Sequence, residues 1–173
     1  MAMKTISFSL DAASIDRAIA EVKAFRDDLL RKCDRLRQLV GERIAWSASH
    51  GFSTALVSDV IFGQGNSNDV QVTVEDDGSV TTVIADGNEA LFIEFGAGVY
   101  NNGPVGTSPH PWGTYTIGSY GKGNGAKNAW AYGKRSEGTL TVTRGTPAAM
   151  PMYRGMQDAI NAFDSLVQEV FGA

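Results

Sequence analysis

The chain has 173 residues, 43% of them hydrophobic and 20% charged, enough to bury a core and to read as one domain. A net charge of -4 and a pI near 5.1 leave no excess of cations to displace counterions from a duplex, so direct nucleic-acid binding is not expected. Cys33 is the sole cysteine, which excludes an intramolecular disulfide and fits a reducing compartment. No apolar run reaches the length of a membrane span, and the first residues lack the apolar core of a secretory signal. A soluble protein made in the cytoplasm, with no membrane partner, is expected.

Residues 4–10 alternate, with Ile6, Phe8 and Leu10 on one side, and predict a short strand with one buried face. Asp11 or Ser14 can cap the helix that follows. From Ile15 the apolar positions are Ile19, Val22, Phe25, Leu29, Cys33, Leu36, Val40 and Ile44, every step three or four residues. That is the pattern of a long helix with one buried stripe. Gly41 predicts a break or kink, with a second helical piece to about Ser49. If continuous, the helix is on the order of 40 Å long, more than a domain this small covers unless it bends or meets another subunit.

Residues 55–62 are moderately apolar, a weak strand signal. Val70, Val72 and Val74 alternate with polar neighbours, Glu75 to Ser79 supply turn chemistry, and residues 80–85 resume the apolar pattern. This predicts a β-hairpin. Residues 90–95 fit a short helix or a strand. Residues 96–145 then hold more than half of the 20 glycines and two of the three tryptophans, and read as a long loop with β character only at 138–144. After Pro147 and Pro151, the spacing of Tyr153, Met156, Ile160, Phe163, Val167 and Val170 predicts a C-terminal amphipathic helix. The expected fold is α+β: a long N-terminal helix, a small antiparallel sheet with a hairpin, a long glycine-rich loop and a C-terminal helix. It is one domain, 1–173, with an extended loop at about 96–145.

No catalytic, cofactor or metal site is predicted. Cys33 falls on the apolar stripe, where a buried thiol is inert, and His50 and His110 lie elsewhere without a supporting signature. Two histidines with no nearby cluster do not make a zinc site. Residues 121–126 match G-x-G-x-x-A by letter, but no strand precedes them and no helix follows. Glu75, Asp76 and Asp77 belong to a turn. Glu94 sits inside an apolar segment and, if buried, needs a partner; a salt bridge or a hydrogen bond to a loop amide is expected rather than acid catalysis.

The loop aromatics Tyr100, Trp112, Tyr115, Tyr120, Trp130 and Tyr132 are interleaved with glycines and with Lys122, Lys127, Lys134 and Arg135. Such a set stacks on sugars or single strands, anchors a protein–protein contact, or packs onto its own domain. Tyr100, Trp112, Tyr115, Trp130 and Tyr132 are the candidate interface residues. Without aliphatic periodicity the loop is expected to order only against a partner, with Trp112 and Trp130 as anchors.

Four segments together resemble the tail-component family of long-tailed bacteriophages and prophages: residues 89–104, the SPHPW of 108–112, the WAYGK of 130–134, and the GTPAAMPMYRGM of 145–156. That family pairs an acidic-aromatic-glycine motif, here Glu94-Phe95-Gly96, with a later Pro-Ala and Pro-Met motif opening a C-terminal helix, here Pro147-Ala148 and Pro151-Met152. The resemblance implies a non-enzymatic structural virion protein acting in tail completion and head–tail joining. It further implies a ring homo-oligomer, hexameric by resemblance, on the end of the tail tube, with neck or connector and tail-tube or tail-terminator proteins as partners. Its place would be the virion, after assembly in the host cytoplasm. Many members have a much shorter central loop, so no role for residues 96–145 carries over. The alternative is a cell-wall or carbohydrate-binding module using the loop aromatics; a hydrolase comes third.

Overall fold

The computed structural model describes residues 5–100, 109–112 and 129–172. Its first element, α1 (Ala12–Thr54), is one continuous 43-residue helix, about 65 Å long at 1.5 Å per residue. Asp11 caps it by accepting from the Ser14 amide at 2.9 Å, and Ser14 Oγ in turn accepts from the Ser9 amide at 2.9 Å. Two expectations are corrected here. Residues 5–10 form no strand: among the described residues no strand pairs with them, and Leu10 is 94% exposed. Gly41 does not break the helix, which runs unbroken from Ala12 to Thr54. It is buried against the hairpin, where an added Cβ would lie 2.5 Å from Thr81 Cγ2, so the missing side chain admits a neighbouring strand.

The hairpin consists of β2 (Gln71–Asp76) and β3 (Thr81–Asp86), paired antiparallel from Gln71↔Asp86 to Asp76↔Thr81. Its turn is held by Asp77, whose carboxyl falls to about 2 because it accepts from the Val80 and Ser79 amides and the Ser79 hydroxyl. Arg37 reaches Asp76 at 3.1 Å and fastens the turn to α1. A second sheet has the order β1-β5-β4, all antiparallel: β1 (Val60–Phe62), β4 (Trp130–Tyr132) and β5 (Thr141–Thr143). Within the expected loop at 96–145, β5 falls in the 138–144 stretch expected to have β character, whereas β4 and the 3-10 turn at Arg135–Glu137 correct the expectation that the stretch before it is loop.

The last helix, α3 (Pro151–Phe171), runs antiparallel along α1. Gly51 takes Pro151, and Gly155 comes so close that a Cβ there would lie 2.8 Å from Ile44 O. One turn on, Arg43 holds Asp158 through bonds of 2.7 and 2.9 Å, and the end of α3 places Val170 near Arg35 and Leu39. The helix stops there, and residues 12–27 of α1 extend past it. The core lies at the other end, where Phe52, Ala90 and Ile93 are buried among Val57, Val72, Ala85 and Met152. No helix among the described residues is long and apolar enough to cross a membrane. The architecture is α+β.

Candidate functional site

The hub is α2 (Ala90–Phe95), a helix of six residues that ends at Gly96, φ +79. Consecutive side chains on it are about 100° apart, so Phe92 and Glu94 leave on opposite sides. Glu94 is 6% exposed and His110 3%. The Glu94 carboxylate accepts from the Met152 amide at 2.8 Å (Oε2) and the Tyr153 amide at 3.0 Å (Oε1). These are orphan donors of the first turn of α3, whose cap residue Met150 offers no side-chain acceptor and sits left-handed at φ 56. A carboxylate from another helix thus caps α3 and faces its positive end. The sequence led us to expect a salt bridge or a loop amide; the partners are two helix amides and the His110 ring.

His110 completes the arrangement. Its Nε2 lies 3.0 Å from Glu94 Oε1, and its Nδ1 accepts from the Trp112 amide at 3.2 Å. An accepting Nδ1 places the ring proton on Nε2, which donates to Glu94. Both nitrogens are committed to the fold, so the pair has no basic nitrogen facing a substrate. The imidazole packs 4.4 Å from Phe95 and 5.4 Å from Tyr153, centroid to centroid, and Trp112 meets Tyr153 edge-on at 5.5 Å. Trp112 remains 66% exposed. The result is a rigid pedestal under a surface tryptophan.

On the Phe92 side of α2 lies a pocket of about 390 Å³, walled by Phe92, Trp130 and Tyr132, with Ser58, Asn66 and Glu89 as polar lining. Two of its side chains carry sealed polar atoms without a hydrogen-bond partner, the Tyr132 hydroxyl and Glu89 Oε2. Glu89 also shares a hydrogen bond with Asp69, which accepts from Asn88 N at 3.2 Å and Asn88 Nδ2 at 3.0 Å. Desolvation, and then Asp69, raise the Glu89 carboxyl above its ordinary 4.5, while the bond from Glu89 and those from Asn88 lower Asp69. Of the two, Glu89 therefore keeps its proton to the higher pH. Its stabilising effect is fully present below pH 4.5 and is lost as pH rises through the higher folded value; the opposite contribution from Asp69 is lost only in stronger acid. Glu89→Gln supplies a permanent N–H donor. Its melting temperature is expected to track that of the parent below pH 4.5, to exceed it as pH rises above that, and to hold a constant lead once pH has passed the raised folded value. A difference that does not change with pH would contradict the shared proton.

The sequence-predicted aromatics do not form one patch. Trp112 belongs to the pedestal, and Trp130 and Tyr132 belong to the pocket across α2. Tyr100 donates to Asp59 at 2.8 Å; this bond, joined by Arg144, lowers the Asp59 carboxyl, and the same bond raises the Tyr100 phenol against the opposing charge of Arg144. Tyr115, Tyr120 and residues 121–126 lie outside the described residues. Cys33, expected in the core, is exposed. His50 stacks on Trp46 at 6.3 Å. Among the described residues no group of three or more His, Cys, Asp or Glu side chains could hold a metal ion. No family model, curated protein or solved structure matches the chain, so the functional reading rests on this geometry and on the sequence motifs.

Proposed function

We propose that this is a structural virion protein without catalytic activity, acting in phage tail completion and head–tail joining as a subunit of a ring on the tail tube. The observation that carries the reading is the union of the two motifs behind the family resemblance. Glu94-Phe95-Gly96 and Pro147-Ala148, Pro151-Met152 form one unit: Glu94 binds the Met152 amide at 2.8 Å, and a Cβ on Gly96 would lie 3.2 Å from Ala148 Cβ. Their order and spacing thus reflect a single physical device rather than a chance of composition. The buried Glu94–His110 pair, with both ring nitrogens engaged, supports a scaffold rather than a reactive centre. Neck, connector and tail-terminator proteins are the partners this reading assigns, with the pedestal tryptophan as a contact.

The pocket favours a second reading, a cell-wall or carbohydrate-binding module. Its aromatic walls suit the apolar face of a sugar, and its sealed hydroxyl and carboxyl suit sugar hydroxyls. Two single substitutions separate the readings. Under the virion reading, Trp112→Ala leaves the melting temperature within a few degrees of the parent and yields filled heads and tails that fail to join in electron micrographs. Trp130→Ala would instead abolish binding to isolated cell wall under the second reading. Normally joined particles assembled without this protein would overturn the first.

A further inference from the structure

We infer that the N-terminal arm of α1, residues 12–27, docks in an apolar groove on a second copy of this chain. This goes beyond the virion reading and stands without it. Ile15, Ile19, Val22 and Phe25 on the arm are between 38% and 54% exposed. The same stripe continues through Cys33, Leu36, Val40 and Ile44, which floor a groove of about 310 Å³ walled by Val83 of the hairpin and Phe163 of α3. One apolar seam is therefore naked over its first half and walled but open over its second. An exposed amphipathic helix and an open groove are the two halves of a helix-in-groove contact.

Three features identify the occupant as another copy. The register is the first: laid antiparallel, the arm sets Ile15 over Ile44 and Ile19 over Val40 and, one residue out of that register, Val22 over Leu36 and Phe25 over Cys33. Charge is the second. The arm carries Lys23, with Arg26 already held by Asp27 at 2.7 Å, and beside the groove floor the acidic turn Glu75-Asp76-Asp77 is fastened to α1 by Arg37. The arm as a whole carries both signs, Asp16, Glu21 and Asp27 against Arg17, Lys23 and Arg26. A lipid or nucleic-acid surface would call for one sign. Area is the third. The arm is about 25 Å long and 10 Å wide, so two reciprocal contacts remove on the order of 1,000 Å² from water. That reaches the size of a specific association.

The native cysteine provides the test, in the full-length chain. Within one α1, positions 25 and 33 are eight residues apart, about 12 Å, beyond the reach of a disulfide. Across the docked copies they face each other. Under mild oxidation F25C is expected to give a reducible covalent oligomer on the order of tenfold faster than R31C, whose thiol faces away from the seam. Cross-linking should vanish in F25C/C33S. Light scattering of the product then distinguishes two chains, from reciprocal exchange of arms, from a larger closed set, from one-way docking. Cross-linking of F25C no faster than R31C, or unaffected by C33S, would overturn the inference. None of the three substitutions touches the core, so folding does not obscure the result.

Discussion

Glu94→Ala is expected to remove about 3–5 kcal/mol of unfolding free energy, read as a lower urea midpoint with α3 helicity lost in the same transition. The size follows from what the carboxylate leaves behind. Three donors converge on it, the Met152 and Tyr153 amides and His110 Nε2, and alanine supplies none of them with an acceptor. The site is too buried for water to replace the carboxylate without rearrangement. Glu94→Gln keeps one acceptor oxygen but turns an amino group toward a donor, so an intermediate loss of about 2 kcal/mol is expected. His110→Ala removes one donor and leaves the cap on α3 intact, so it should cost less than Glu94→Ala and disturb chiefly the Trp112 turn. A midpoint for Glu94→Ala within about 0.5 kcal/mol of the parent would mean that the carboxylate does not cap the helix.

The elements legible in the sequence are those whose signal is local. In α1 and α3 a period of three to four persists over many turns, and the hairpin announces itself by alternation on both sides of an acidic turn. Misreadings arose where a distant residue decides. Gly41 carries the local cost of a glycine in a helix, but Thr81, far along the chain, is what fills the space its side chain would take. Residues 5–10 alternate properly, yet alternation shows only that one side is apolar and says nothing of a strand to pair with. The three residues of β4, Trp130 to Tyr132, are too few to show a period among glycines, and their pairing to Thr141 and Thr143 closes across the Arg135–Glu137 turn.

The site was half legible for the same reason. A lone carboxylate in an apolar run marked Glu94 as needing partners, but those partners are 16, 58 and 59 positions away and no spacing rule reaches them. Trp112 and Trp130 look alike in sequence, and the turn of α2 sends their surroundings to opposite sides. Periodicity reports an apolar face on α1 but not what covers it; the helix is longer than the domain can cover, as its length implied, and α3 covers it only from about its middle onward. Cys33, expected in the core from its place on that face, is exposed.

Gly145→Ala is expected to cost about 3–4 kcal/mol, measured by urea unfolding, without any change in buried apolar surface. Two backbones cross here. Ala97 and Thr146 exchange amide bonds at 2.8 and 3.2 Å, which fastens the two ends of the 96–145 segment together. Gly145 has φ +114, a conformation that L side chains rarely adopt, and its Cβ would stand 2.2 Å from Ala97 O. Gly98 mirrors it, with φ +67 and a Cβ position 2.3 Å from Arg144 O. Neither obstacle is the tip of a flexible side chain, so relief requires separating the strands and weakening both amide bonds. Because both glycines serve one crossing, G98A with G145A should cost clearly less than the sum of the two single changes. Full additivity would mean that the crossing is not one unit. Ala97, Gly98, Gly145 and Thr146 also line the pocket with Trp130 and Tyr132, so opening the crossing should reshape that pocket while the Glu94 cap stays intact on the other side of α2.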